Sequence, residues 1–234
     1  MSQCYVWIFR LEKISHYSSY LYLQKSNKHM KKVISFVVLI ALLISTTAFK
    51  LVAPAGYAVG DIAADFNLKN VDGKMVKLAD YKKAKGFIVV FTCNHCPFSQ
   101  AYEQRIINLH KKYAALGYPV VAINPNDATR EPEDSYPKMQ ELAKAKKYPF
   151  AYLHDETQQT AKTYGAARTP HVFVLQKTKA GNKVMYIGAI DDNYEDAKAA
   201  TERYIETAVN NLLKGKTITK TSTKAIGCTI KWKK

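Results

Sequence analysis

The chain has 234 residues, of which 47% are hydrophobic and 23% charged, and its formal net charge is +16. This is enough for one domain with a sizeable core. A positive charge of this size is typical of proteins that bind nucleic acid or anionic lipid. Here, however, much of the charge lies in residues 1–48 and 214–234. Composition therefore gives no case for a nucleic-acid-binding domain.

The first recognisable element in the chain is a segment for export. From Met30 the sequence MKKVISFVVLIALLISTTAF has a basic start, an apolar run over residues 33–44 and small residues up to Ala48. This is the layout of a secretory signal peptide, so residues 30–48 are predicted to be one. An uncleaved anchor that tethers the chain to the membrane and a buried helix are the alternatives. Residues 1–29 form an upstream extension, which a mis-assigned start would explain.

Export places the protein in the periplasm or cell envelope, an oxidising compartment where cysteine pairs form disulfides unless something reduces them. Three of the four cysteines follow the signal, namely Cys93, Cys96 and Cys228. An odd number leaves one thiol unpaired or one pair that exchanges. Residues 214–234 carry seven lysines and no acidic residue. We predict a solvated basic tail, no nucleic-acid partner, and weak membrane-surface contact through the tail as a further option.

Residues 49–60 are a predicted linker, and residues 61–213 a single domain. The domain begins with two strands joined by a turn at Asp72-Gly73. Residues 86–91, GFIVVF, form an apolar run typical of a strand buried on both faces. A helix is predicted over residues 98–116, because apolar side chains recur there at helical spacing.

The second half of the domain continues this alternation. Strands are predicted at residues 118–123, 150–153, 172–175 and 184–187, and helices at 138–146, 157–164 and 195–213. The stretch NPNDATREPEDSYP between the first of these strands and the first of these helices is predicted to be a loop. The pattern predicts one α/β domain with a central sheet flanked by helices and an N-terminal β-hairpin extension.

The stretch VVFTCNHCPFSQ places Cys93 and Cys96 between a buried strand and a helix. The NH groups and dipole of a helix N-terminus favour a thiolate at Cys93, the attacking species in disulfide exchange. Cys96, one turn further along and less exposed, is expected to resolve the mixed disulfide. A protonated His95 would add positive charge beside either sulfur.

Three other interpretations of the two cysteines are weaker. Haem attachment needs a histidine after the second cysteine, where this chain has Pro97. A structural zinc site needs about four ligands, and only Cys228 and scattered histidines remain to complete it. A structural disulfide would close a minimal loop, which gives little stabilisation. A lone C-x-x-C inside a β-α-β pattern favours a redox-active pair.

A second motif supports a redox site. Thr169 and Pro170 stand directly before a predicted strand in GAARTPHVFVLQ. In the thioredoxin fold a cis-proline at this point faces the C-x-x-C and leaves the preceding backbone free to pair with substrate. A trans bond is the commoner form of X-Pro, but the context favours cis here.

Over residues 57–213 the chain resembles the thioredoxin-like redoxins of the AhpC/TSA and TlpA/ResA type. The features that carry the resemblance are the N-terminal hairpin, FTCNHCP, the inserted segment before the Thr-Pro strand, and the last helix. It is especially similar to exported members with C-N-H-C-P-[FY] and a C-terminal G-C-x-I-K-W, found here at residues 227–232. The resemblance implies a thioredoxin-like fold with a central mixed sheet, Cys93 as nucleophile, Cys96 as resolving thiol and Pro170 as cis-proline.

Two positions depart from the related families. Peroxiredoxins of this superfamily carry P-x-x-x-T-x-x-C, and the proline and threonine positions hold Val89 and Cys93 here. This departure argues against peroxidase activity. Thioredoxin has a buried acid six residues before its first cysteine, where this chain has Phe87. The proton acceptor for the resolving thiol is therefore unassigned, with His95 or water as candidates.

The expected function is that of an enzyme, an exported thiol–disulfide oxidoreductase that works through a mixed disulfide and without a metal or organic cofactor. Its expected partners are protein dithiols or disulfides, or a thioredoxin-type electron donor. One alternative is a thiol peroxidase or antioxidant protein of AhpC/TSA type, with a sulfenic acid intermediate. Another is a non-enzymatic metal carrier that uses Cys93, Cys96 and a histidine. The direction of exchange stays open, with reduction of substrates favoured.

Several further residues have more than one interpretation. Cys228 is a third redox thiol, a thiol that pairs with a partner, or an inert residue. His154 and His171 flank strands and are expected to pack rather than bind a ligand. Asp191 and Asp192 precede the last predicted helix, and N-capping is expected there.

Overall fold

The structure, a computed structural model, describes residues 56–234. The predicted upstream extension, the signal peptide and most of the predicted linker lie outside the described residues. The strands are β1 (Ile62–Ala63), β2 (Leu68–Asn70), β3 (Met75–Val76), β4 (Gly86–Phe91), β5 (Val120–Asn124), β6 (Ala151–His154), β7 (Arg168–Thr169), β8 (His171–Thr178), β9 (Gly181–Gly188) and β10 (Cys228–Thr229). The α-helices are α1 (Pro97–Tyr113), α2 (Tyr136–Lys146), α3 (Gln159–Tyr164) and α4 (Tyr204–Leu213).

Eight of these strands form one mixed sheet in the order β1-β9-β8-β4-β5-β6-β2-β3. At its centre β4, β5 and β6 run parallel, and β8 is antiparallel to β4. β7 and β10 form a separate two-stranded antiparallel sheet. The predicted α/β domain with a central mixed sheet and an N-terminal hairpin, β2–β3, is confirmed. Between residues 56 and 234, no helix is both long and apolar enough to cross a membrane.

The residues of the central strand β4 explain why apolar side chains pack against both faces of the sheet. All six of its residues are buried. Phe87, Val89 and Phe91 point into one apolar cluster, which includes Tyr164 of α3. The intervening residues, Ile88 and Val90, point into another cluster, where α1 and α4 pack. A continuous run of β-branched and aromatic residues predicts such burial on both faces of the strand. Because β4 is held on both faces, the position at which it ends and the cysteine loop begins is fixed.

The last helix is shorter than predicted, since α4 begins at Tyr204 rather than at residue 195. The Asp192 carboxylate accepts hydrogen bonds from the backbone NH and the hydroxyl of Thr201, which holds the intervening segment as a loop. The predicted N-capping role of Asp191 is wrong as well. The Asp191 carboxylate is buried and pairs with Arg105 of α1 at 2.7 Å.

The predicted solvated C-terminal tail is also wrong, because the structure packs this segment against the domain. Ile218 and Ile230 are only 5% and 4% exposed. Thr223 donates its backbone NH to Ile187 of β9 at 3.0 Å. Isoleucines placed among the lysines supply the apolar surface that docks the segment, since each buried isoleucine contributes about 1.5–3 kcal/mol. Residues up to Lys234 therefore belong to the same compact unit as the domain.

Candidate active site

The two cysteines of the motif lie where the chain passes from β4 into α1. Cys96 is the N-cap residue of α1, and Pro97 is its first residue. Proline suits this position because its missing NH would have no partner in the helix. Cys96 is fully buried and Cys93 is 5% exposed. The order of exposure is as predicted, although both side chains are almost wholly buried.

The disulfide in the structure joins Cys96 to Cys228, which lies 132 residues further along the chain. Cys93 is a free, buried thiol. The predicted redox partner of Cys93 is thus engaged with the third cysteine in this state. Cys228 therefore lies at the site, joined to Cys96, and not in a free tail.

Thr169 and Pro170 bring the three cysteines together. The peptide bond between these two residues is cis, as predicted. The Thr169 hydroxyl lies 3.2 Å from the Cys93 sulfur, and its carbonyl oxygen lies 3.3 Å from the Cys96 sulfur. In the antiparallel pairing of β7 with β10, Thr169 is also the register partner of Cys228. Thr169 therefore adjoins all three cysteines. In the reduced protein, the Cys96 S–H would donate a hydrogen bond to the Thr169 carbonyl.

A buried carboxylate holds the loop between the cysteines. One Asp134 oxygen accepts hydrogen bonds from the backbone NH groups of Asn94, at 2.6 Å, and His95, at 3.3 Å. Its second oxygen lies 2.9 Å from Nδ1 of His95 and accepts a hydrogen bond from the Asn126 amide at 2.7 Å. The Asp134 side chain is fully buried. Such charge-assisted hydrogen bonds are stronger than neutral ones, so they fix the loop conformation.

Both ring nitrogens of His95 lie against acidic groups. Its Nε2 lies 3.1 Å from the Glu131 carboxylate, and its Nδ1 contacts Asp134. Carboxylates accept hydrogen bonds from N–H groups, so both contacts are satisfied when the ring carries a proton on each nitrogen. A protonated His95, predicted to add positive charge beside the sulfurs, would therefore lie next to the negative charges of Glu131 and Asp134.

The environment of Cys93 disfavours its thiolate in this state. Burial raises the pKa of the Cys93 thiol to about 11, and the negative charge of Asp134 acts in the same direction. Hydrogen bonds from Thr169, the Cys96 backbone and Ser99 lower the pKa but do not offset these effects. The helix-start argument predicted a stabilised thiolate. It fails here because Cys93 is buried and lies near a carboxylate that is distant in sequence.

A narrow pocket opens beside Cys93. Its lining includes Ser99, Glu103, Tyr148 and Phe150. Its interior has room for about one water-sized molecule. The Ser99 hydroxyl lies 3.8 Å from the Cys93 sulfur. On this side the Cys93 sulfur therefore has very little open space beside it.

Cys93, His95 and Asp134 also form a cluster with potential metal ligands, since one ligand atom from each lies within 4.8 Å of the others. However, both ring nitrogens of His95 already face carboxylates, and Asp134 accepts hydrogen bonds from Asn126 and from the loop backbone. The donor atoms are therefore satisfied within the protein, and the geometry supplies no specific argument for a cation. His154 and His171 lie in β6 and β8, where burial lowers the pKa of each imidazole, that of His171 to about 4.

Sequence reasoning missed Asp134, Glu131 and Asn126, which lie in the segment predicted to be a plain loop. Asn126 accepts a hydrogen bond from the Lys231 backbone NH while it donates to Asp134. It thus connects the cysteine loop to the C-terminal segment. The available signal was the cluster of acidic and amide residues in NPNDATREPEDSYP, but spacing alone does not indicate which of them turn inward.

The sheet, the cis-proline and the cysteine loop at the start of α1 define a thioredoxin-like redoxin. The chain belongs to the AhpC/TSA family, whose model matches residues 59–186. A comparison with curated proteins gave no significant match.

Two solved structures are similar to this chain in both sequence and fold. An uncharacterized conserved protein from Geobacillus kaustophilus is 38% identical with a TM-score of 0.70, and the match covers 76% of this chain and 93% of that chain. A hypothetical protein from Sinorhizobium meliloti 1021 is 36% identical with a TM-score of 0.70, over 76% of this chain and 96% of that chain. A thiol:disulfide interchange protein of the thioredoxin family from Chlorobium tepidum TLS is 20% identical with a TM-score of 0.50, over 68% and 99%. That last likeness shows the fold alone.

Proposed function

We propose that the protein is a thiol–disulfide oxidoreductase in which Cys93 attacks a substrate disulfide and Cys96 resolves the mixed disulfide. The observation that carries this proposal is the position of Thr169, which contacts the free Cys93 thiol and the Cys96 sulfur and pairs in register with Cys228. A thiol held beside a disulfide is the arrangement from which exchange proceeds. The partners are protein disulfides as substrates and a thioredoxin-type donor for reduction.

The direction we propose is reduction of the substrate. A strongly oxidising pair requires a stabilised thiolate, because that stabilises the reduced form. At Cys93 burial and Asp134 act in the opposite sense and raise the pKa to about 11. The thiolate thus gains no stabilisation, which favours the disulfide form of the protein and a negative potential.

The test is reduction of insulin by dithiothreitol with catalytic amounts of the protein. Cys93→Ser is expected to fall to the uncatalysed rate, because the attacking sulfur is lost. Cys96→Ser is expected to stop turnover and to accumulate a mixed disulfide. Thr163→Ser, at an exposed position of α3, serves as the control that should keep the wild-type rate. Wild-type turnover in Cys93→Ser would contradict the proposal.

The second candidate function is a thiol peroxidase. The pocket beside Cys93 favours it, because its interior has room only for a molecule about as small as water, and peroxide is among the smallest oxidants of thiols. In that case peroxide would oxidise Cys93 to a sulfenic acid, which Cys96 would convert to a disulfide with release of water. Consumption of hydrogen peroxide with a thiol donor, at a rate well above that of insulin reduction, would favour this function.

We also propose that the protein is exported to the periplasm or cell envelope. The support is the basic, apolar and small-residue order of residues 30–48. Expression of the full chain followed by fractionation and N-terminal sequencing tests it. A mature N-terminus at Phe49 is expected, whereas a soluble cytoplasmic chain that keeps residues 30–48 would contradict export.

A further inference from the structure

The C-terminal segment, residues 227–232, occupies the strand edge beside the cis-proline. Cys228 and Thr229 pair antiparallel with Thr169 and Arg168. The Arg168 guanidinium donates a hydrogen bond to the Gly227 carbonyl at 2.9 Å. The backbone of an added strand gains affinity from such main-chain hydrogen bonds and specificity from its side chains. The chain thus supplies its own strand at the edge where Thr169 faces the cysteines.

The fit of this segment depends on Gly227. A Cβ atom at this position would lie 2.3 Å from the Thr169 carbonyl oxygen and 2.6 Å from its carbonyl carbon. Backbone atoms cannot move aside as a flexible side chain does, so any other residue would push the strand away. The glycine allows the close approach that brings the next residue, Cys228, to Cys96.

Residues beyond Cys228 anchor the strand to the domain. Ile230 is 4% exposed and lies in the apolar cluster beneath β4, where Trp232 packs against it. The Lys231 carbonyl accepts hydrogen bonds from the Asp127 backbone NH at 2.9 Å and from the Gln158 amide at 2.8 Å. These contacts involve no sulfur, so they hold the strand in place whether or not the disulfide is formed.

We propose that Cys228 is a third redox thiol, and that residues 227–232 are an internal strand that presents it to Cys96. The inference rests on the proposed function and adds a step to it. After Cys96 has displaced the substrate from Cys93, the Cys228 thiolate attacks the Cys96 sulfur of the Cys93–Cys96 disulfide. The Cys96–Cys228 disulfide forms and Cys93 leaves as a free thiol.

The electrons and protons of this sequence balance. The substrate disulfide receives two electrons and leaves as two thiols. The Cys96 and Cys228 thiols supply those electrons and two protons, and end as a disulfide. Cys93 gives up its proton to attack and regains one when Cys228 displaces it. A thioredoxin-type dithiol then reduces the Cys96–Cys228 disulfide and restores the three thiols.

Disulfide mapping tests the step. The fully reduced full-length protein is mixed with one equivalent of oxidised glutathione, quenched with acid at intervals, alkylated with iodoacetamide and analysed by peptide mass spectrometry. In the wild type we expect Cys93–Cys96 first, and then Cys96–Cys228 with Cys93 alkylated. In Cys93→Ser, formation of Cys96–Cys228 should slow by about tenfold or more, because the first attacking thiol is gone.

A second variant tests the strand without removing a cysteine. Gly227→Val should leave Cys93–Cys96 as the end product, because the strand no longer fits against Thr169. Lys224→Val, which adds the same side chain at an exposed position three residues before Gly227, is the matched control and should behave as the wild type. If Gly227→Val does not fold, the comparison of the wild type with Cys93→Ser still decides the question.

Two outcomes would overturn the inference. If Cys93–Cys96 is the end product in the wild type, Cys228 takes no part in exchange, while insulin reduction that depends on Cys93 would leave the proposed function intact. If Cys96–Cys228 forms at the same rate in Cys93→Ser, the disulfide is a structural link made without Cys93. Insulin turnover in the same variant then reports separately on the proposed function.

Discussion

The choice of disulfide partner for Cys96 has a predictable effect on stability. The Cys96–Cys228 disulfide links residues 132 positions apart. In the chain-entropy model, closing such a loop in the unfolded chain stabilises the folded state by about 5 kcal/mol, whereas the short loop between Cys93 and Cys96 contributes about 2 kcal/mol. Oxidation of the reduced wild-type protein should therefore raise the free energy of unfolding by the larger amount.

Urea unfolding measures this difference. With an m-value of about 2 kcal/mol/M, formation of Cys96–Cys228 should raise the urea midpoint by about 2.5 M, and formation of Cys93–Cys96 by about 1 M. Cys228→Ser is the matched control, because oxidation can then form only the short loop within the domain. Trp232 fluorescence and far-ultraviolet circular dichroism follow the C-terminal segment and the whole fold, respectively.

The reasoning would be refuted by an equal midpoint shift on oxidation in the wild type and in Cys228→Ser. That result would mean that the long loop is not closed, or that the reduced unfolded chain already keeps the two cysteines close. A fluorescence transition well before the circular dichroism transition in the reduced protein would show that the strand needs the disulfide to dock.

Three further predictions concern side chains around the site and in the core. In the oxidised protein, the rate of Cys93 alkylation by iodoacetamide should rise with pH up to about 11, because burial and Asp134 disfavour the thiolate. A rate that reaches its plateau by about pH 8.5, near the ordinary pKa of a cysteine, would contradict this. Asp134→Asn should lower that midpoint, since the carboxylate raises the Cys93 pKa, and an unchanged midpoint would mean that burial alone sets it. Arg105→Ala should destabilise the fold by about 3–5 kcal/mol in urea unfolding, because it leaves the buried Asp191 carboxylate without its cationic partner. Lys112→Ala, which breaks a more exposed pair with Glu206, should cost only about 0–1 kcal/mol, and equal losses in the two variants would refute the distinction.

Local sequence patterns predicted the framework of the site. The apolar run GFIVVF is a strand buried on both faces, and the cysteine loop follows it directly. The Thr169-Pro170 bond is cis and lies against the cysteines. These features depend on short-range patterning and on the order of strands and helices, which a single sequence carries.

Contacts between residues that are distant in sequence were not predicted. Asp134 binds the backbone of Asn94 from 40 residues away, and its negative charge and the burial of Cys93 together raise the thiol pKa instead of lowering it. Cys228 reaches Cys96 because Ile230 is buried in the domain. The segment was predicted to be a solvated tail because of the lysines around Ile230. Composition does not show that one isoleucine among them is buried in the domain.

Trapping the first covalent intermediate tests the central claim most directly. The full-length Cys96→Ser/Cys228→Ser double variant keeps Cys93 as the only cysteine at the site. Incubated with a disulfide-linked peptide and mapped by mass spectrometry, it should carry the peptide on Cys93 as a stable mixed disulfide, because no second thiol remains at the site to resolve it. Full recovery of unmodified Cys93, under conditions in which the wild-type protein reduces the same peptide, would contradict the account.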